Sequence, residues 1–154
     1  MMVWISPHCK AVSLSQANLD ELASRIKAWG LELGFAEVRI ADIDLSAAEA
    51  GLQAWLDAGM HGDMDYMASH GMKRARPAEL VPGTVRVITA RMNYLPGAAD
   101  EGWRERETAR LADPTQAVIS VYARGRDYHK VLRARLQQLA DKVSAAVGEF
   151  GYRV

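Results

Sequence analysis

The chain has 154 residues, 49% of them hydrophobic and 25% charged, the profile of an ordinary soluble globular domain large enough to bury its own core. Nineteen basic residues balance nineteen acidic ones, which excludes a global electrostatic pull toward nucleic acid or membrane and leaves such binding to a local patch. The single cysteine, Cys9, excludes an internal disulfide and any all-cysteine metal cage built by this chain alone, and a reducing, cytoplasmic setting is the simplest reading.

The opening MMVWISPHCK has neither the basic start nor the apolar core of a secretory signal, and the apolar runs are too short for a membrane span, so no membrane partner is expected. Residues 1–18 are an N-terminal extension that the sequence assigns poorly. From residue 19, Leu22, Ile26, Trp29 and Leu33 follow one another at spacings of four, three and four, which predicts an amphipathic helix over 19–33 that Gly34 stops. FAEVRIADI, with Phe35, Val38, Ile40 and Ile43, predicts a strand. Ser46 and Glu49 predict a capping box that opens a helix with Leu52, Trp55 and Leu56 inward and Gly59 at its end.

Residues 61–83 predict a short helix and then an irregular basic loop punctuated by Pro77 and the turn Pro82-Gly83. TVRVITARMNYL, residues 84–95, is the clearest strand, and residues 96–114 predict a mobile surface connection with a partial helix in EGWRERETARLA. AVISVY, residues 117–122, predicts a second apolar strand. A long helix follows with Leu132, Leu136, Leu139, Val143 and Val147 on one face, and GYRV begins a further strand. Alternating strands and helices predict an α/β fold, with α+β as the alternative, and no repeat is visible. Ending at Val154 just past the turn residue Gly151, the chain is expected to be a module, residues 19–154, incomplete at its C-terminal end.

Three clusters carry chemistry. In GRDYHK, residues 125–130, Asp127 is placed to cap the long helix. Arg124, Arg126, Tyr128, His129 and Lys130 crowd around it, as they would around an anion, most often a phosphate, at a helix N-terminus. His129 has a proton to exchange near neutral pH, or is simply a satisfied histidine. Lys73, Arg74 and Arg76 in MKRARP can grip phosphates or the acidic edge of a cofactor, or form a solvated basic face. In HGDMDYM, His61, Asp63 and Asp65 lack a metal-site spacing, and Met60, Met64 and Met67 predict a helix core face, so no metal is assigned. The absence of GxGxxG, Walker A, HExxH, GxSxG and CxxC patterns sets aside the common dinucleotide, nucleotide, zinc-protease and serine-hydrolase readings.

WGLELGF (29–35), LQAWLDAGMHGDMDYMASHGMKRARPAELVPGTVRVI (52–88), MNYLP (92–96) and YARGRDYHKVLRARLQQL (122–139), in this order, resemble the N-terminal region of the epoxyqueuosine reductases, enzymes of tRNA queuosine biosynthesis. Only residues 1–18 and the loop 97–114 lie outside the resemblance. It implies an oxidoreductase that reduces the epoxide of epoxyqueuosine at the wobble position of tRNA. The implied fold is a cobalamin-binding α/β module like that of reductive dehalogenases, followed by a ferredoxin-like module with two [4Fe–4S] clusters. Carried onto this chain, Arg74 matches a position expected to contact cobalamin. Ser120, Val121, Tyr122, Asp127, Tyr128 and His129 would line the cofactor or substrate cavity. The family's aspartate proton donor falls just beyond the point that matches GYRV, so no catalytic residue is assigned within 1–154. Each [4Fe–4S] cube takes four thiolates, and the one cysteine here cannot supply them, which leaves the iron–sulfur module of the same protein as an implied partner and this chain alone inactive. A non-catalytic fragment that binds cobalamin or tRNA is the alternative function.

Overall fold

A computed structural model describes residues 2–5, 16–95, 101–148 and 150–152. Helix α1 (Gln16–Glu32) buries Ile26, with Leu22, Trp29 and Leu33 packed partly against the same core, which is the stripe that the four-three-four spacing predicts. It ends in a Schellman turn: Phe35 N–H donates to Gly30 O at 3.0 Å and Gly34 N–H to Leu31 O at 2.9 Å. Gly34 takes a φ of +83° there, a conformation that side chains with a Cβ resist. Phe35, 3% exposed, is the apolar residue that this motif turns back onto the core.

Strand β2 (Glu37–Ala41) follows, and a methyl group added at Gly30 would lie 2.2 Å from Val38 Cγ2. The glycine therefore lets α1 sit directly on the strand. Strand β3 (Arg86–Arg91) pairs antiparallel with β2, Ile40 opposite Ile88 and Val38 opposite Ala90. On its other edge it pairs antiparallel with β1 (Met2–Ile5), Met2 opposite Thr89. The sheet order is β1-β3-β2. Val38, Ile40, Ile88 and Ala90 share one face by the two-residue period and meet Ile26 and Phe35 in one cluster.

The last helix, α6 (Tyr128–Val147), adds Leu136, Leu139 and Val143 to that cluster as buried residues, with Leu132 and Val147 half-buried. Each such leucine contributes about 1.5–3 kcal/mol by leaving water. Arg135 crosses from α6 to α1, its Nη1 donating to Gly34 O at 3.1 Å. Between β2 and β3 lie α2 (Ser46–Asp57), α3 (Asp65–Ser69), a 3₁₀ turn (Gly71–Arg74) and α4 (Pro77–Leu80), and between β3 and α6 lie α5 (Trp103–Ala112) and a 3₁₀ turn at Val121–Ala123. No helix among the described residues is long and apolar enough to cross a membrane.

Helix and sheet are mixed, consistent with the α/β or α+β reading, and the described strands are antiparallel throughout. Several other expectations are corrected. Residues 117–122 form no strand: β3 already has β1 and β2 on its two edges, Ile119 is 61% exposed, and the chain closes into the 3₁₀ turn instead. The partner that takes the edge, β1, lies in the stretch that the sequence left unassigned. Gly151 makes a single bridge, and residues 153–154 of GYRV lie outside the described ones. Ser46 is the first residue of α2, not its cap: its N–H donates to Asp44 Oδ1 at 3.0 Å, while Glu49 turns to Arg76 instead of back to the helix start. Met60 and Met64 are exposed and not core, because the segment that bears them packs no buried residue of α3 against the sheet. The partial helix of the 96–114 connection is α5; residues 96–100 lie outside the described ones.

Candidate functional site

At the start of α6, Asp127 acts as the N-cap, its Oδ1 accepting the His129 N–H at 2.9 Å. This backbone hydrogen bond is the main cause that holds the Asp127 carboxyl below its ordinary value of 3.8. The same oxygen lies 3.2 Å from His129 Nδ1. Gly125, at a φ of +94°, makes the bend that brings the chain to the cap. Tyr128 lies beside the His129 ring at 3.9 Å and meets the edge of Tyr122 at 5.8 Å. Tyr122 and Tyr128 remain 52% and 36% exposed, so they form an aromatic face with the exposed cations Arg126 and Lys130 close by in sequence. Val121, half-buried, opens the 3₁₀ turn, and Ser120 O accepts the Ala123 N–H at 2.9 Å.

Arg124, though exposed, is engaged by its neighbours. Its Nη1 and Nη2 donate to the two oxygens of Glu107 on α5, at 3.0 and 2.5 Å, and its Nε to Ile119 O at 2.8 Å. Arg124 holds the Glu107 carboxyl below the ordinary glutamate value, more than Arg110 does. Glu107 escaped the sequence reading. Its spacing from Arg110 signals only a pair along one helix, and nothing local links position 107 to position 124.

The second cluster is engaged largely with its own neighbours. Arg74 Nε donates to Met67 O at 3.1 Å and Nη2 to Tyr66 O at 2.6 Å, and its guanidinium lies 5.8 Å from the Tyr66 ring centre. It therefore satisfies carbonyls that the short α3 leaves open. Arg76 forks onto Glu49 at 2.8 and 2.9 Å and reaches Glu79 at 3.2 Å; Lys73 is exposed. No hydrogen bond or ring contact of Arg74 among the described residues reaches Ser120–His129, so direct contacts do not join the two clusters. Half-buried His61 lies 5.9 Å from the Trp55 ring, with a buried Nδ1 that has no partner among the described residues. Asp63 and Asp65 are exposed, and the described residues gather no group of three or more metal-ligating side chains.

The fold and these clusters define a mixed helix-and-sheet domain whose chemistry-bearing side chains sit on the connections around a small sheet. The model of the family Epoxyqueuosine reductase QueG, DUF1730 matches residues 74–154, just over half of the chain, which takes in Arg74, Arg76 and the whole cluster at the start of α6. Relatives named epoxyqueuosine reductase are 65% identical over 151 residues in Burkholderia pseudomallei (92% of this chain, 37% of the relative) and 63% identical over 135 residues in Alicycliphilus denitrificans (88% and 38%). Another, from Pseudomonas aeruginosa, is 55% identical over 149 residues (97% and 40%). The chain belongs to the epoxyqueuosine reductase family. It spans about 37–40% of the length of these three relatives. No solved structure matches it.

Proposed function

We propose that the chain is part of a cytoplasmic enzyme that reduces the epoxide of epoxyqueuosine in tRNA to queuosine, and that it contributes the surface on which cobalamin rests. The observation that carries this is the 65% identity to a relative named epoxyqueuosine reductase. The residues present fit a corrinoid. Ile119, Tyr122 and Tyr128 expose apolar area on an otherwise polar connection, which suits the broad face of a macrocycle, and Arg126 and Lys130 suit the phosphate of its nucleotide tail. A helix-backed sheet of this kind is compatible with the reductive-dehalogenase-like module that the family resemblance implies.

When bound, cobalamin supplies a reducible metal centre to the epoxide. The chain's own residues bind and orient. Tyr122 and Tyr128 cover one face of the ligand and exclude water, Arg74 holds a polar edge, and Ser120 and Val121 shape the wall beside them. Asp127 is ionised at neutral pH, as an aspartate ordinarily is, and the His129 N–H stabilises that form further, so it serves as cap and acceptor and not as the proton donor. A neutral His129 that donates from Nδ1 to Asp127 keeps Nε2 as an acceptor. No step runs through iron–sulfur clusters here, since one cysteine falls short of four thiolates; the electron source, like the tRNA-reading surface, is assigned to the remainder of a longer protein.

Titration of the purified chain with hydroxocobalamin, followed in the visible spectrum, tests the reading. A saturable change that weakens in Arg74→Ala and in Tyr122→Ala supports it. A spectrum that stays the sum of its parts overturns the cobalamin assignment.

A further inference from the structure

We infer that Glu107 is a positioning residue for the ligand surface at the start of α6, acting through Arg124 from a helix that bears none of the proposed ligand contacts. The inference deepens the cobalamin reading and rests on it for the identity of the ligand. Arg124 is the joint: one side of its guanidinium is forked by Glu107 at 3.0 and 2.5 Å, and its Nε donates to Ile119 O at 2.8 Å. A single side chain thus closes the loop 119–124 on itself and pins it to α5. Tyr122 sits inside that loop and meets Tyr128 across it.

Packing cannot do this work instead. Helix α5 has no buried residue, and a cleft of about 260 Å³ lined by Arg110, Gln116–Ile119 and Arg124 parts it from the segment that leads into the loop. The fork is partly open to water, the Arg124 side chain being 32% and the Glu107 side chain 17% exposed, so its defined geometry comes from the two parallel hydrogen bonds and the third to Ile119 O rather than from burial. Lysine could replace the charge of Arg124 but not its planar fork or the simultaneous bond to Ile119.

The test uses Glu107→Gln, Glu107→Ala and Arg124→Lys in the full chain, with two readouts: amide exchange over 119–124, and hydroxocobalamin affinity. Gln keeps the shape of Glu107 and loses its charge, so a role in packing alone would leave both readouts at the wild-type value. The expected result is faster exchange at the Ala123 and Arg124 amides, unchanged exchange at Leu139 and Val143, and an affinity lowered on the order of tenfold, the scale of one lost charge-assisted hydrogen bond. Wild-type exchange in all three variants overturns the inference, and so does faster exchange with unchanged affinity. If the wild-type chain shows no binding of hydroxocobalamin, it is the cobalamin reading that fails. The exchange rates, with the Tyr122–Tyr128 contact followed by NMR, then decide whether Glu107 sets the loop: loss of that contact in Glu107→Gln supports the role, and its retention overturns it.

Discussion

Gly30→Ala sets two effects of opposite sign against each other at one atom. In the last turn of α1 the exchange should help, since alanine is favoured over glycine by up to about 0.8–1.0 kcal/mol in a helix. The added methyl, however, would lie 2.2 Å from Val38 Cγ2 and 3.2 Å from Val38 Cβ. Carbon atoms rest at about 3.5–4.0 Å, so helix or strand must retreat by roughly 1.3–1.8 Å. Val38 cannot yield alone, being 4% exposed within the cluster of Ile26, Phe35 and Ile88. Overpacking of this kind costs about 1–3 kcal/mol, which leaves a net loss of about 0–2 kcal/mol after the propensity gain, or ~0–8 °C in melting temperature for a chain of this size. Urea unfolding of Gly30→Ala, Val38→Ala and the double variant checks the cause as well as the size. Truncating Val38 removes the 2.2 Å clash and leaves only the tighter-than-usual 3.2 Å approach to Cβ, so the double variant should be more stable than the sum of the single effects by on the order of 1 kcal/mol. A Gly30→Ala chain that gains stability, as propensity alone dictates, would refute the close approach of α1 to β2.

Leu136→Ala, at a fully buried position, should cost about 2–5 kcal/mol in urea unfolding. Asp127→Ala should lower the melting temperature by a few degrees through loss of the cap, whereas Asp127→Asn, still a good cap, should retain most of it. Because the Asp127 carboxyl is held below 3.8 by the His129 N–H, its charge contributes fully above that value and is lost as pH falls through the lowered one; the gap between wild type and Asp127→Ala should therefore close in acid melts. Arg74→Ala should speed amide exchange around α3 and the following 3₁₀ turn while leaving the α6 core amides unchanged, since Arg74 binds the carbonyls of Tyr66 and Met67. Iron analysis after anaerobic reconstitution should find no stoichiometric cubane cluster on this chain, and epoxyqueuosine-containing tRNA should stay unreduced by it.

The elements that build the core were legible where one periodic stripe sufficed. Leu136, Leu139 and Val143 on α6, and Ile26 on α1, are buried at the spacings the sequence shows. Strands were a different matter, since an apolar run states that a segment wants cover but not which edge is free to provide it. AVISVY forms no strand, whereas β3 pairs on one edge with Met2–Ile5, a segment more than eighty residues before it that pairs through its backbone. Caps divide in the same way: Asp127 caps through a bond two residues away and could be read. Glu49, matched to Ser46 by pattern, is drawn instead to Arg76, 27 residues on. Of the candidate site, the local group around Asp127 was legible. The clamp of Arg124 on Glu107 was not, because it depends on the placement of α5.

The distribution of burial bears on how the site behaves. The core is drawn from α1, β2, β3 and α6, while α3, α5 and both 3₁₀ turns contribute no buried residue. Arg74 and Ser120–Tyr122 thus stand on segments that polar forks tie to neighbouring helices, Arg74 to two carbonyls of α3, Arg76 to Glu49 on α2 and Arg124 to Glu107 on α5, with buried Ala75 and Pro77 beside Arg74 as the apolar contribution there. Exposed ion pairs contribute little and pay for the ordering of two long side chains, so these segments open at a lower free energy than the helix-backed sheet does. Only the Asp127–His129 end of the site continues into α6 and, through Leu132 and Leu136, into the core. On the proposed cobalamin reading, a ligand that spanned both parts would bind the closed arrangement in preference to the open one and stabilise the connections by mass action. The helix start would then fix where the ligand sits, and the clamped loops would set how much of its binding energy goes into ordering them.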